Sequence, residues 1–332
     1  MKELLKKLVQ IPAPFGYESA MRDAVRAEIS DLADEIQVDA LGNLIARKGQ
    51  RDPDGLRVML SAHMDEIGII ASHVDENGFV RFAPLGNVYA HNCPGARVRF
   101  INGARGLIGS PRYTSSSQPP AIPDMFIDVG ATSREDCPVK VGDPAVFENT
   151  FLDLGQRVAA KSLDNRISVA AQIEIMRRLS ASPHEIHFVF SVQEEVGQKG
   201  ALVAAYHLQP ELGIALDVTT TGDTPNSARM AVELGKGPAI KIKDEGMIAD
   251  PRVVRLLAGA AEKLNIPTQR EILLNGTTDA RWMQAQRAGA PAGTLSIPCR
   301  YVHSPSEMVD LGDVEHAVNL MVHLLSAPVH LS

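Results

Sequence analysis

The sequence predicts an α/β fold: a mostly parallel central sheet flanked by helices, with a small all-β domain inserted into it. Three observations support this. Apolar, β-rich runs alternate with segments of helical periodicity at both ends of the 332-residue chain. Between about residues 70 and 155 the pattern changes to short β-branched runs broken by Gly and Pro. Acidic and histidine side chains gather where apolar runs end, and in open α/β sheets ligands bind outside the carboxyl ends of strands. The expected division is 1–69 with 156–332 for the α/β part and 70–155 for the insert.

Leu4, Leu5, Leu8 and Val9 repeat at helical spacing and the segment stops at Pro12 and Pro14. Met21, Val25, Ile29 and Leu32 mark a second amphipathic helix. Residues 56–60 are apolar and run as a strand into His63. In the insert, Asp75-Glu76-Asn77-Gly78 and Asn102-Gly103 are hairpin signals between strand-like runs, and no amphipathic helix is evident. Its bulky side chains Phe79, Phe82 and Phe100 suit either a core or a partner surface. Residues 114–123 (TSSSQPPAIP) read as a loop. Then come a helix over 167–179, a strand over 186–192, a strand over 213–217, and a helix over 251–264 that starts on proline. A strand over 293–297 and a helix over 314–325 close the series.

Composition excludes several classes. The chain is 45% hydrophobic and 22% charged, which suits a large soluble core. A net charge of −7 and the lack of a basic stretch argue against nucleic acid as a partner. No apolar run reaches membrane-spanning length and the N-terminus lacks a signal-peptide core, so a cytoplasmic enzyme with no membrane partner is expected. Cys93, Cys137 and Cys299 are odd in number and widely spaced, as reduced thiols would be.

The most informative stretch is Val192-Gln193-Glu194-Glu195-Val196-Gly197, two adjacent carboxylates where a buried strand ends. On extended backbone, neighbours point in different directions, so one carboxylate can hold a metal while the other moves a proton. Further candidates are His63, Asp164, Asp217 and His303. Alone, each has an ordinary explanation: a surface histidine, a turn aspartate, or an N-cap for Asp164. Together they are harder to dismiss. Asp164, Glu194, Glu195 and Asp217, if they converge, repel one another unless cations are present. Two divalent ions held by three carboxylates and two neutral imidazoles leave roughly one positive charge.

The pieces AHMDEIG (62–68), KSLDNR (161–166), QEEVGQKGA (193–201), ALDVT (215–219), NGTTDA (275–280) and IPCRYVHSPSE (297–307) resemble, in order, the motifs of the tetrahedral (TET-type) aminopeptidases. That family includes glutamyl aminopeptidases and proteins once described as endoglucanases. The resemblance covers essentially the whole chain. It implies an α/β metallopeptidase fold with a barrel-like dimerisation insert, and two zinc or cobalt ions per subunit. Asp164 would bridge them, Glu195 and His303 would complete one site, and His63 and Asp217 the other. Glu194 would be the general base, and Asp65 would orient His63. Many relatives have a second aspartate at Asn165; since Asp164 supplies the bridge, little effect is expected. The implied activity is release of N-terminal residues from short peptides, and the implied assembly a homododecamer built from dimers. A deacylase of N-acyl amino acids, a glycosidase and a silent peptide-binding scaffold are the rival readings. Thr277, Thr278 and Asp279 line the substrate pocket or, for Asp279, cap a helix. Arg300 contacts substrate or supports His303, and Tyr301 packs.

Overall fold

A computed structural model describes residues 1–111 and 120–331. Of the loop read at 114–123, residues 114–119 lie outside the described residues, and Ile122–Asp124 form a 3-10 turn. Helices α1 (Lys2–Val9) and α2 (Ser19–Ile29) open the chain. They bury Leu4, Leu5, Leu8 and Val9, then Met21, Val25 and Ile29, on one face each, as their spacing requires. The hairpin of β1 (Glu35–Val38) and β2 (Leu44–Lys48) precedes β3 (Arg57–His63). Among the described residues six strands come next: β4 (Gly68–Val74), β5 (Val80–Leu85), β6 (Arg97–Phe100), β7 (Arg105–Gly109), β8 (Phe126–Asp128) and β9 (Pro144–Glu148).

The chain then returns through β10 (Leu152–Leu154), β11 (Arg157–Ala160), α3 (Leu163–Arg178), β12 (Glu185–Ser191), α4 (Lys199–Leu208) and β13 (Leu212–Thr219). It ends with β14 (Ala239–Lys243), α5 (Pro251–Lys263), β15 (Gln269–Ile272), α6 (Ala280–Ala285), β16 (Ala292–Arg300), β17 (Glu307–Asp310) and α7 (Leu311–Leu325). The β1–β2 hairpin, α4, β11, β14, β15 and β17 carry no clear period in the sequence and were not expected, whereas α6 is the helix read after Asp279.

Among the described residues, eleven strands form one sheet with the path β1-β2-β12-β3-β13-β16-β17-β11-β10, and β14 joins β16 and β15. Its centre, β12-β3-β13-β16, is parallel; both flanks are antiparallel. Side chains alternate across it. Val58, Leu60 and Ala62 of β3 join the core under α1, α2, α3 and α7. Met59 of β3 and Ala215 of β13 join the core under α4 and α6. Helix α3 packs on β3, β13, α1 and α7 and is buried along most of its length, so it has almost no polar face. That is why its amphipathic signal is weak.

Strands β4–β9 close into an antiparallel barrel in the order β4-β5-β8-β7-β6-β9. Phe82 and Phe100 fill its core, and Phe79 packs edge-on to Phe126 with ring centroids 5.1 Å apart. Phe82 and Phe100 therefore serve the core, while Phe79 is only half-buried.

Where β3 leads into the barrel, Glu66 is 2% exposed and accepts from Lys161 Nζ at 2.6 Å, Arg166 Nη2 at 3.2 Å and Ala13 N at 3.0 Å, and from the Ser162 hydroxyl. Burial raises its pKa, but Lys161 and Arg166 outweigh that and hold it below the usual range. One carboxylate thus compensates two buried cations on the α3 side. Glu66→Gln leaves them short of charge. The expected cost is about 3–5 kcal/mol of stability, read as a lowered urea midpoint of the metal-free protein.

Candidate metal centre

The parallel strands bring the first candidate ligands together. Ser191 of β12 is registered against His63 of β3, and Ala215 of β13 against Ser61. Two residues further on, Asp217 and His63 fall side by side on the face shared with Met59 and Ala215. Asp164 enters from the turn after β11. Its backbone (φ −77°, ψ 103°) is not helical and its side chain caps nothing, so the N-cap explanation does not hold. Glu194 and Glu195 sit in a 3-10 turn, Glu194–Val196, entered through Gln193 at φ 56°. The extended backbone expected there is absent, yet the two carboxylates still diverge. His303 lies in the turn between β16 and β17, itself at φ 63°.

The resulting geometry has a common centre. Asp164 Oδ1 is 3.1 Å from His63 Nε2, and Asp164 Oδ2 is 3.3 Å from His303 Nε2. His63 Nε2 is also 3.8 Å from Asp217 Oδ1, and His303 Nε2 is 3.4 Å from Glu195 Oε2. Two donor trios result, His63–Asp164–Asp217 and Asp164–Glu195–His303, with the donor atoms of each within 4.8 Å of one another. They share Asp164, one oxygen to each side.

The donor set fits cations. Ligands about 2.1 Å from a tetrahedral ion stand about 3.4 Å apart, close to these separations. The imidazoles are decisive. His63 Nδ1 faces the Asp65 carbonyl oxygen at 3.2 Å and the Asp65 carboxylate at 3.5 Å, while Nε2 faces two carboxylates. His303 Nδ1 faces the Asn87 carbonyl oxygen at 3.1 Å, while Nε2 again faces two carboxylates. A neutral imidazole has one N–H. With that proton on Nδ1, each Nε2 lone pair points at anionic oxygens, which requires either a second proton or a cation between them.

Protonation shifts tell the same story. Burial would lower His63, but Asp164 and Asp65 outweigh it and push it well above its ordinary value. Burial likewise opposes His303, which Glu195 and Asp164 nevertheless push up to about 12. Burial raises Glu194 and Asp217 well above the carboxylate range, and raises Glu195 less, with His303 opposing. Burial also acts to raise Asp164, yet the two histidines pull it below its usual value.

Supporting contacts surround this centre. Asp65 Oδ1 and Oδ2 accept the backbone N–H groups of Glu194 and Glu195, both at 3.0 Å, so one carboxylate touches His63 and fixes the acidic turn. Gln198 Nε2 donates to Glu194 Oε1 at 2.8 Å. Asn165 is fully buried and donates from Nδ2 to the Leu216 carbonyl at 2.9 Å, a bond that a carboxylate there cannot make. A cavity of about 250 Å³ opens over the centre, lined by His63, Asp164, Glu194, Glu195, Asp217 and His303, by Asn87 and Tyr89 from the barrel, and by Thr277 and Thr278.

Asp279 does not cap α6; it lies 2% exposed beneath the site and accepts from Ser61 Oγ at 2.5 Å and Ser191 Oγ at 2.6 Å. Arg300 takes neither expected role: its guanidinium pairs with Asp223 through Nη2–Oδ2 at 2.6 Å and Nε–Oδ1 at 3.1 Å. Tyr301 is 53% exposed rather than packed. Gln198, Asn87 and Tyr89 were missed in the sequence. Gln198 falls inside the QEEVGQKGA motif, but for Asn87 and Tyr89 the sequence offers no signal, because the barrel topology alone brings them here.

The family model for M42 glutamyl aminopeptidases matches residues 42–320. The lysyl aminopeptidase of Pyrococcus furiosus is 37% identical over 338 residues, covering 97% of this chain and 96% of that one. The structure of aminopeptidase APDkam598 from Desulfurococcus kamchatkensis superposes with a TM-score of 0.94 at 38% identity, covering 98% of this chain and 94% of the other. The Pyrococcus horikoshii TET1 peptidase, described as assembling into a tetrahedron or a large octahedral shell, gives 0.88 at 35% identity, over 98% and 99%. The chain belongs to the M42 glutamyl aminopeptidase family and is a peptide-bond hydrolase of the aminopeptidase class.

Ligation requires deprotonated carboxylates and neutral imidazoles, whereas the metal-free pocket holds extra protons. Binding of a divalent ion at pH 7 therefore releases protons, and affinity rises with pH. Calorimetric titrations in buffers of different ionisation enthalpy check this; a binding heat independent of buffer contradicts it.

Proposed function

We propose that this chain is a two-metal aminopeptidase that removes N-terminal residues from short peptides. The observation that carries the reading is the pair of donor trios sharing Asp164, with Glu194 beside them but in neither. His63 and Asp217 would hold one ion, Glu195 and His303 the other, and Asp164 would bridge. Zinc and cobalt both suit oxygen and imidazole donors. When bound, such a pair lowers the pKa of a water and polarises the scissile carbonyl.

The rest falls to the protein. Glu194 is 7% exposed and lines the cavity, with one oxygen held by Gln198. Burial pushes its pKa up and His63 moderates the rise, and a carboxylate within reach of the attacking water can serve as general base. It takes the proton of the attacking water and delivers it to the leaving amine. Asp65 keeps this base and the His63 ring in fixed relation, because one carboxylate bonds the acidic turn and faces the imidazole. Thr277, Thr278 and the barrel residues Asn87 and Tyr89 line the space for substrate.

Residues 1–69 and 156–332 form the hydrolase unit in this reading, and 70–155 an inserted barrel serving self-association. The P. horikoshii TET1 assemblies include a dodecamer, which supports a homododecamer built from dimers. A chamber of that kind would select short unfolded peptides. The family description names glutamyl and the P. furiosus relative lysyl residues, so the relatives leave the preferred N-terminal residue open.

Glu194→Gln should lower kcat by about 10²–10⁴ while metal content stays at the wild-type level; near-normal turnover removes Glu194 from the role. Chelation should abolish hydrolysis of aminoacyl-anilides, with zinc or cobalt restoring it. Cleavage of N-acetylated substrates in preference to free amines would instead favour a deacylase. Light scattering under active conditions should report an oligomer, and a stable active monomer overturns the assembly.

A further inference from the structure

β17 begins at Glu307, and sheet register fixes what that side chain meets. Glu307 stands opposite Ala160, the last residue of β11, from which the chain turns towards Asp164. Its neighbour Met308 is registered against Arg300, the last residue of β16, so the turn carrying His303 closes beside it. The carboxylate lies between these two segments. Its Oε2 accepts the backbone N–H of Asp164 and its Oε1 the backbone N–H of His303, both at 2.8 Å. The residue is 2% exposed. Both amides belong to members of the trio Asp164–Glu195–His303. The amide of the third member, Glu195, is held by Asp65.

We propose that Glu307 is a positioning residue for that cation site: its two oxygens clamp the backbone of Asp164 and His303 so that both side chains meet one ion. This rests on the two-metal reading above. The clamped backbone needs holding. His303 and Tyr301 stand at φ 63° and 61°, a region that residues with a side chain seldom occupy, and Asp164 departs from helical angles inside α3. Asp65 makes the matching pair of bonds to Glu194 and Glu195. Two buried carboxylates thus each straddle two amides of the site, one from the β3 end and one from the β17 end.

Chemistry separates positioning from mere charge. In Glu307→Gln the amide oxygen accepts one N–H, but its NH₂ group opposes the other, donor against donor. In Glu307→Asp both carboxyl oxygens remain, one methylene too short. The cation between His63, Asp164 and Asp217 shares only Asp164 with the clamp, whereas the other depends on it for both Asp164 and His303.

The test is titration of metal-free wild type, E307Q and E307D with Co²⁺, followed by equilibrium dialysis and visible absorption. Thermal melting of the metal-free proteins serves as the folding control. Wild type should bind two ions. E307Q should bind the ion at His303 about ten- to a hundredfold more weakly, with the corresponding loss of absorption, and the ion at His63 and Asp217, which shares only Asp164 with the clamp, with a smaller loss; its metal-free form should still melt cooperatively, at a lowered temperature because one buried N–H loses its acceptor. E307D should fall between them. Two ions bound by E307Q as tightly as by wild type overturn the assignment alone. Fewer than two in the wild type overturn the two-metal reading and the assignment with it. Should E307Q not fold, E307D decides: weakening of one ion more than the other supports the clamp, and unchanged or equally changed affinity for both removes it.

Discussion

The mutual repulsion of buried carboxylates governs this structure. Asp164, Glu194, Glu195 and Asp217 are drawn together around two histidines at the ends of parallel strands. Unpaired buried charge is costly, and like charges at these distances cannot all persist without compensation. The protein meets the strain with position rather than with lysines or arginines: Asp164 presents one oxygen to each histidine, and each histidine faces a further carboxylate. Net negative charge is thereby concentrated in a pocket that only small, highly charged cations neutralise well. Affinity for metal and a shortage of local positive charge are one property.

The framework around the pocket is stiff where the pocket is strained. Positive φ angles at Ser162, Gln193, Tyr301 and His303 lie in the turns that carry or adjoin the acidic and histidine side chains. Such conformations persist when surrounding bonds over-determine them. Asp65 and Glu66 supply two sets of those bonds from adjacent positions. Asp65 points to the acidic turn after β12, and Glu66 to Ala13 and to Lys161, Ser162 and Arg166 at the start of α3. One dipeptide at the end of β3 therefore ties three separate stretches of chain to the junction with the barrel.

Much of this was legible in the sequence because period and termination are local. The strand over 186–192 appears as Glu185–Ser191, the helix over 251–264 as Pro251–Lys263, and the helix over 314–325 as Leu311–Leu325. The five ligand candidates and the proposed base were readable because the acidic ones follow or end apolar runs, and the motifs supplied their grouping. Other features depend on partners distant in sequence. Helix α3 has no polar face because α7 and the sheet cover it, so periodicity understated it. Arg300 looked available for substrate until Asp223, 77 residues away, engaged it. Asp279 looked like a helix cap because the two serines beneath it come from β3 and β12. Glu307, the last residue of a recognised motif, gave no hint that its oxygens meet the backbones of Asp164 and His303.

The bond from the His303 ring to the Asn87 carbonyl crosses from the main sheet to the loop that follows β5. An acceptor at Nδ1 keeps the proton on that nitrogen and leaves the Nε2 lone pair towards Asp164 and Glu195. The insert therefore helps set the electronic state of the His303 imidazole as well as its own shape. Excising or exchanging the barrel would remove the tautomer lock along with the barrel, so this scaffold cannot trade its inserted module for another as freely as its separate core suggests.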